Sequence, residues 1–179
     1  NAGKSSLMRA LTGSDIYIAD QLFATLDTTV RSLQPRTHPP ILVSDTVGFI
    51  KKLPHDLVAS FRSTLDEARD SDLLVQVVDA SDPAFPAQVQ VTREVLDSIG
   101  SEGPRLMLLN KVDRIDAARR ARLAREWPDA IQLSAKVPAD AAKLREKLVA
   151  HFEQGLEEGE LFVPYALQRV VAEAHANAH

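Results

Sequence analysis

Short runs rich in apolar or β-branched residues alternate with amphipathic helical patterns along the chain. The runs predict strands over residues 29–33, 41–44, 73–78, 106–109 and 131–133. Apolar positions spaced at about 3.6 residues predict helices over residues 5–11, after Pro54 through Leu57 to Ala68, and through Leu144, Leu148 and Phe152. Strands that alternate with helices are typical of a parallel sheet with crossover helices. The pattern therefore predicts an α/β fold with a mostly parallel sheet and helices on both of its faces.

Glycine, proline and aspartate residues mark the expected helix boundaries. Gly13 follows the first helical pattern, at a position where a left-handed residue commonly ends a helix. Asp82 and Pro83 fit an N-cap and a first helical residue, and Gly100 fits the end of that helix. We expect Gly155 to end the last helix of the domain.

An acidic segment near the carboxyl end divides the chain. Residues 155–160 combine glutamates with glycines, as segments that join domains often do. We therefore expect one domain over residues 1–154, a linker over residues 155–160 and the start of a second domain over residues 161–179. Neither Asn1 nor His179 resembles a natural terminus, so we interpret the chain as a fragment.

Composition excludes several classes of protein. With 45% hydrophobic and 26% charged residues the chain fits an ordinary soluble globular protein. No apolar run approaches the length of about 20 residues that a membrane span needs. The net charge of -4 argues against non-specific binding of polyanions over the whole surface. The absence of cysteine excludes disulfides, thiolate metal sites and cysteine nucleophiles, and it fits a cytoplasmic location.

The amino end carries part of a phosphate-binding loop. The sequence Asn1-Ala2-Gly3-Lys4-Ser5-Ser6 opens a predicted helix and matches the end of the pattern G-x-x-x-x-G-K-[ST]. Backbone N–H groups at a helix start attract phosphate oxygens, Gly3 permits close approach, and Lys4 can neutralise the β and γ phosphates. Ser5 offers a hydroxyl to Mg²⁺. A glycine turn before a capped helix is the alternative interpretation of this segment alone.

A second motif follows the predicted strand over residues 41–44. Asp45 could hold Mg²⁺ through water, and Gly48 could present its N–H group to a γ phosphate. Taken alone, this segment could also be a strand exit with a turn glycine.

A third motif, Asn110-Lys111-Val112-Asp113, ends the predicted strand over residues 106–109. The Asp113 carboxylate can accept hydrogen bonds from guanine N1–H and the 2-amino group, and adenine lacks both donors in that arrangement. Lys111 would lie along the plane of the base. A polar strand-to-helix turn is the alternative.

Ser134-Ala135-Lys136, after the last predicted strand, can add a backbone N–H for the guanine carbonyl. All of these motifs stand at carboxyl ends of strands or at starts of the following helices, where open α/β sheets bind ligands. We therefore expect Lys4, Asp45 and Asp113 to surround one guanosine triphosphate.

Together the motifs resemble those of the translation-factor-like P-loop GTPases, which read GKS, DxxG, NKxD and SAK. Residues 22–27 (LFATLD), 45–50 (DTVGFI) and 53–58 (LPHDLV) resemble the HflX branch of the Obg-HflX superfamily more narrowly. The resemblance extends from Asn1 to Phe152, and residues 161–165 resemble the start of that family's carboxyl-terminal domain. It implies a three-layer P-loop fold whose first strand, with the loop's first glycine and an amino-terminal domain, precedes Asn1.

The resemblance also implies roles for individual residues. Lys4, Thr25 and Gly48 would be catalytic, and Mg²⁺ would be held by Ser5, Thr25 and Asp45. Thr25 is favoured over Thr28 and Thr29 by the family pattern F-[AT]-T-L. The expected GTP contacts are those of the four motifs: Asn1, Ala2, Gly3, Lys4, Ser5, Ser6, Asp45, Gly48, Asn110, Lys111, Asp113, Ser134, Ala135 and Lys136.

Phe49 stands where Ras-like enzymes carry the glutamine that orients the attacking water. A phenyl ring cannot take that role, so we expect slow intrinsic hydrolysis that a partner completes. Packing of Phe49 beneath the switch is an equally compatible interpretation.

By resemblance, the partner is the ribosome, mainly its large subunit, and the role is ribosome dissociation or rescue under stress. ATP could bind as well, and we expect a monomer. Arg119 and Arg122, with the nearby Arg114, Arg120 and Arg125, could contact rRNA, although a solvated helix face is the commoner role of such a run. The alternatives are a GTPase of tRNA modification or subunit maturation, and a fragment that does not bind nucleotide. We expect the isolated chain to bind GTP poorly, because a sheet without its middle strand leaves backbone groups unpaired.

Overall fold

The structure, a computed structural model, describes residues 2–13, 29–45 and 62–154. The predicted linker and the predicted second domain lie outside these residues. In chain order the elements are α1 (Lys4–Thr12), β1 (Thr29–Ser32), β2 (Leu42–Asp45), α2 (Arg62–Arg69), β3 (Leu74–Asp79), α3 (Phe85–Ser98), β4 (Arg105–Asn110), α4 (Ala117–Glu126), β5 (Ile131–Gln132) and α5 (Pro138–Glu153). A 3₁₀ turn, Val112–Arg114, lies between β4 and α4.

The described strands form two sheets. Strands β3, β4 and β5 are parallel, and the register of β3 and β4 sets Asp79 beside Asn110. Strands β1 and β2 form an antiparallel pair in which Thr29 lies opposite Asp45. The carboxyl ends of β3 and β4 therefore lie side by side, at the edge where the sequence analysis places two of its motifs.

Helices cover both faces of the parallel sheet. Adjacent residues of β4 point to opposite faces, with Leu108 in one apolar cluster and Leu109 in the other. The cluster around Leu108 includes residues of α1 and α5, and the cluster around Leu109 includes residues of α3 and α4. This alternation confirms the predicted α/β class with helices on both faces. Strand β3 is half-buried apart from Val78, less enclosed than its apolar sequence predicts, because among the described strands it pairs only with β4.

Two glycines end helices as predicted, whereas the predicted start of α3 is wrong. Gly13 and Gly100 adopt the left-handed φ angles of 63° and 71° that a residue with a Cβ rarely takes. Helix α3 begins at Phe85 rather than Pro83. The reason is that the Asp82 carboxylate forms a turn of its own, accepting the Ala84 N–H at 2.8 Å before the helix begins.

Across the part of the chain that the structure describes, no helix combines the length and apolar character needed to cross a membrane.

Candidate nucleotide site

The loop that opens α1 requires glycine for two reasons. Gly3 has a left-handed backbone with φ 87°, and a Cβ atom there would lie 2.6 Å from Nδ2 of Asn110. Any larger residue would strain the backbone and collide with a side chain that holds the loop. Ser6 lies in the first turn of α1.

Ser5 and Asp45 bring the first two motifs together. The Ser5 hydroxyl donates to Oδ2 of Asp45 at 3.0 Å, although 40 residues separate them in sequence. Asp45 ends β2, packed beside α1, and it is buried. A hydroxyl and a carboxylate are hard oxygen ligands of the kind that Mg²⁺ prefers. The residues present therefore fit the predicted metal.

Lys4 lies at the first position of α1, in a half-buried environment. Burial lowers the pKa of its ammonium group, because charge is less well solvated there, and the negative charge of Asp45 opposes this effect. The negative charge of a phosphate group beside Lys4 would favour the ammonium form and so oppose the effect of burial.

Asn110 connects three loops of the site. Its side chain is almost completely buried, its Nδ2 donates to the Ala2 carbonyl at 2.8 Å, and its Oδ1 accepts the Ala135 N–H at 3.0 Å. One amide side chain thereby joins the loop before α1, the end of β4 and the loop after β5. This connection brings the segments of the first, third and fourth motifs together at one edge of the fold.

Asp113 is an exposed residue of the 3₁₀ turn and is held by Ser134. The Ser134 hydroxyl donates to Oδ1 of Asp113 at 2.6 Å. This hydrogen bond lowers the pKa of the Asp113 carboxyl, with support from the positive charges of Lys136 and Arg114. Ser134 is itself fixed, since its N–H donates to Asp140 at 2.8 Å. The acceptor that the sequence analysis assigns to guanine is therefore ionised and oriented.

The N–H groups after β5, which were predicted to serve the guanine carbonyl, have partners within the chain. The Ala135 N–H donates to Asn110, and the Lys136 N–H donates to the Ser134 hydroxyl at 3.3 Å. The longer of these bonds, from Lys136, is the weaker one. A base carbonyl would therefore share or replace one of them.

Lys111 has a partner that the sequence analysis missed. Its Nζ lies 2.7 Å from Oδ2 of Asp79, the last residue of β3. Lys111 also has a left-handed backbone, with φ 63°. Asp79 directly follows the run predicted as a strand over residues 73–78, and a carboxylate in that position is the signal that could have identified it.

The arginines after Asp113 serve the local fold. Arg119 donates to the Ala80 carbonyl at 3.2 Å, and Arg120 donates to the Val112 carbonyl through two nitrogens. Arg122 pairs with Glu126 at 2.7 Å. Of the predicted pair on one helix face, Arg119 is thus engaged in a partly buried contact, and Arg122 forms an exposed pair along the helix. Arg119 is partly buried, whereas Arg114, Arg120, Arg122 and Arg125 are exposed.

Several predicted residues lie outside the described part of the chain. They are Asn1 of the first loop, the switch residues Thr25 and Gly48, Thr28, and Phe49. Thr29 begins β1, and its backbone pairs with Asp45 in the ladder.

Comparison with known proteins identifies the kind of protein that carries this arrangement. A protein family described as "50S ribosome-binding GTPase" matches residues 1–111. The chain is 60% identical over 179 residues to the GTPase HflX of Gluconacetobacter diazotrophicus, covering 99% of this chain and 40% of the relative. It is 40% identical to the GTPase HflX of Akkermansia muciniphila, covering 98% of this chain and 42% of the relative.

A solved structure shares both the fold and part of the sequence. It is a GTP-binding protein from the archaeon Sulfolobus solfataricus in complex with GDP, with a TM-score of 0.66 and 30% identity. The alignment covers 86% of this chain and 50% of the archaeal chain. The P-loop GTPase fold expected from the sequence is thereby confirmed.

The chain spans about two fifths of the length of the curated relatives it matches. Within that span the resemblance to HflX GTPases is confirmed. The chain belongs to the family of 50S ribosome-binding GTPases.

Proposed function

We propose that these residues bind GTP with Mg²⁺ at the carboxyl edge of the sheet and hydrolyse it. The observation that carries this proposal is the position of Asn110, which bonds both to the loop before α1 and to the loop after β5. These bonds hold the loop before α1 close to the ends of β4 and β5, and this closeness supports binding of a single nucleotide across them.

The phosphate side of the proposed site is built from α1 and β2. Backbone N–H groups of residues 1–6 and the Lys4 ammonium would bind the phosphates. Ser5, Asp45 and, by resemblance, Thr25 would hold Mg²⁺, Asp45 through water, and Gly48 would face the γ phosphate. When bound, the metal would neutralise charge that develops on the phosphate oxygens. The contact between Ser5 and Asp45 supports this assignment.

The base side of the proposed site is built from the ends of β4 and β5. The Asp113 carboxylate would accept from guanine N1–H and from the 2-amino group, and Lys111 would lie along the base. A backbone N–H from Ala135 or Lys136 would reach the carbonyl oxygen. The bond from Ser134 keeps the Asp113 acceptor in place for this role.

Hydrolysis transfers the γ phosphoryl group from GTP to water and leaves GDP and phosphate. The proposed site supplies positive charge from Lys4, while Phe49 offers no group to orient the water. We therefore propose that turnover is slow until a partner completes the site, since supplied groups can be worth roughly 10³ to 10⁵ in rate. A turnover above about 1 per second by the full-length protein alone would contradict slow intrinsic hydrolysis.

The most direct test of the base assignment is Asp113→Asn in the full-length protein. Asparagine places an amide where the carboxylate stands, so it can donate to the 2-carbonyl of xanthine but cannot accept twice from guanine. We expect the affinity for GDP to fall at least about a hundredfold and that for xanthosine diphosphate to rise. Fluorescence titration measures both. The control is Asp129→Asn, at an exposed position. Unchanged GDP affinity in Asp113→Asn would refute the assignment of Asp113 as the acceptor for guanine.

We further propose that the protein associates with the ribosomal large subunit, in ribosome dissociation or rescue. The family description and the similarity to HflX GTPases support association, and the dissociation role rests on resemblance. In the proposed arrangement residues 1–154 form the GTPase domain, residues 155–160 a linker and residues 161–179 the start of another domain. Cosedimentation of the full-length protein with assembled ribosomes, stronger with a GTP analogue than with GDP, is the expected result. Exclusive binding to precursor subunits would instead favour a role in maturation.

A further inference from the structure

We propose that Asp79 is a positioning residue for the nucleotide base, acting by holding the Lys111 side chain as one wall of the base slot. This inference rests on the proposed function, because it assigns a role within the same site. It adds a residue from β3, a strand to which none of the four motifs gives a role.

The ion pair between Asp79 and Lys111 is well defined. The register of the parallel sheet sets Asp79 beside Asn110, so the residue after Asn110 lies within reach. Nζ of Lys111 lies 2.7 Å from Oδ2 of Asp79, and the two side chains are 20% and 18% exposed. Partial burial makes such a pair less screened by solvent than the exposed pairs at the surface.

The Asp79 carboxylate is held on its other side as well. Oδ1 accepts the Ser81 N–H at 2.9 Å and the Ser81 hydroxyl at 2.6 Å. These bonds, with the contact to Lys111, keep the pKa of Asp79 below its ordinary value against the opposing effect of burial. The carboxylate is therefore a fixed anchor.

The path of the Lys111 side chain connects this anchor to the phosphate loop. Its Cε lies 3.8 Å from the position that a Cβ atom of Gly3 would occupy, while its Nζ reaches Asp79. The left-handed backbone of Lys111 is costly for a residue with a Cβ, by about 1 kcal/mol. It is fixed by the bond from Arg114 N–H to the Lys111 carbonyl at 3.0 Å.

Two constraints thus define the Lys111 methylene chain, one at its backbone and one at its ammonium group. A methylene chain held in this way presents an apolar surface on which a base can lie. Without the Asp79 charge the Lys111 ammonium group could adopt other orientations. The Lys111 side chain would then have to be ordered when the nucleotide binds, and this ordering would weaken binding. Asp79 would therefore strengthen nucleotide binding without affecting the specificity for guanine over adenine, which Asp113 would determine.

The test uses the full-length protein with Asp79→Asn, Lys111→Met and the double variant, and it measures GDP and ADP affinity by fluorescence titration. We expect Asp79→Asn to weaken GDP binding about tenfold, because a charge-assisted bond to Lys111 is lost. The ratio of GDP affinity to ADP affinity should not change. In the Lys111→Met background Asp79→Asn should have no further effect, because its action passes through Lys111. Asp97→Asn, which removes the exposed ion pair with Arg105, is the matched control.

Additive effects of the two substitutions, or wild-type affinity in Asp79→Asn, would overturn the inference. If Asp79→Asn does not fold, Ser81→Ala replaces it, because it loosens the same carboxylate from the other side. A twofold to threefold loss that disappears in the Lys111→Met background supports the inference, and unchanged affinity overturns it. Failure of the wild-type protein to bind GDP would instead refute the proposed function.

Discussion

The base side and the phosphate side of the site are organised differently. On the base side Asn110 bonds to the loops before α1 and after β5, and Ser134 bonds to Asp113, so the proposed acceptor for guanine is oriented by the protein itself. On the phosphate side burial acts against the charge of Lys4, and Asp45 opposes that effect only in part. The base side is held mainly by bonds within the protein, whereas the phosphate side contains a cation that its surroundings disfavour.

Because of this difference, substitutions on the two sides should change stability and nucleotide affinity in different proportions. Hydrogen bonds that join distant loops stabilise the fold, so variants on the base side should lower both stability and affinity. A buried cation lowers stability relative to an apolar side chain, and anionic phosphates offset that cost when they bind. Removing the Lys4 charge should therefore lower affinity with little loss of stability.

The largest expected effect comes from Lys4→Met in the full-length protein. Methionine has a similar length but no charge, so we expect GTP affinity to fall at least about a hundredfold. The unfolding temperature should stay the same or rise, because a desolvated ammonium group is removed. Titration with a fluorescent GTP analogue and thermal unfolding measure the two quantities. The control is Lys143→Met, at an exposed position of α5, and a clear drop in the unfolding temperature of Lys4→Met alone would contradict the proposed contrast.

The next effect concerns the chain of 179 residues by itself. Its described strands form two sheets, so β2 and β3 each have an edge that no described strand pairs. Unpaired edges and loosely covered apolar faces weaken a fold. We expect the isolated chain to bind GTP at least about tenfold more weakly than the full-length protein does, from a conformational cost of about 1.4 kcal/mol or more. Calorimetry measures the Kd of both proteins, and equal values would contradict this prediction.

Asn110→Ala should reduce both the stability of the fold and the affinity for GTP, because Asn110 belongs to the base side and also holds the phosphate loop. The substitution leaves the Ala135 N–H without its acceptor and releases the Ala2 carbonyl. We expect the free energy of unfolding to fall by about 2 kcal/mol and GTP affinity to fall about tenfold. Chemical denaturation and nucleotide titration test this expectation. Gln90→Ala, which removes an exposed amide from α3, is the control, and a loss of affinity at unchanged stability would place Asn110 with the phosphate side.

The sequence predicts the strands and the four loops because their signals are local. The apolar run before Asn110 and the glycine before α1 are each visible within a few consecutive residues. The partner of Lys111 is not visible in this way, because Asp79 lies 32 residues earlier and meets it only through the sheet register. The same holds for Arg119, whose contact with the Ala80 carbonyl spans 39 residues. Sequence periodicity contains no information on which strand ends become neighbours.

The start of α3 shows a different limit. Aspartate followed by proline is a common helix start, and the same pair also forms a turn that precedes a helix. The choice depends on whether the Asp82 carboxylate accepts from a first-turn N–H or from Ala84, which local sequence leaves open.

The smallest expected effect is a shift in pH dependence for Ser134→Ala. The Ser134 hydroxyl lowers the pKa of Asp113, so the carboxylate stays ionised to lower pH than an ordinary aspartate. Guanine binding needs the ionised form, and affinity should fall as the pH drops through the pKa of Asp113 in the folded protein. Removing the hydroxyl raises that pKa, so the fall should begin at a higher pH, with only a twofold to threefold loss near neutrality because Asp113 is exposed.

Titrating GDP into the full-length wild type and Ser134→Ala between about pH 3.5 and pH 7 measures this shift. Protonation of the GDP phosphates is common to both proteins, so the ratio of their affinities reports on Asp113 alone. Ser98→Ala, at an exposed position at the end of α3, serves as the control. If the ratio is the same at every pH, the Ser134 hydroxyl orients Asp113 without changing its pKa. The contribution of Ser134 to the base side would then be geometric rather than electrostatic.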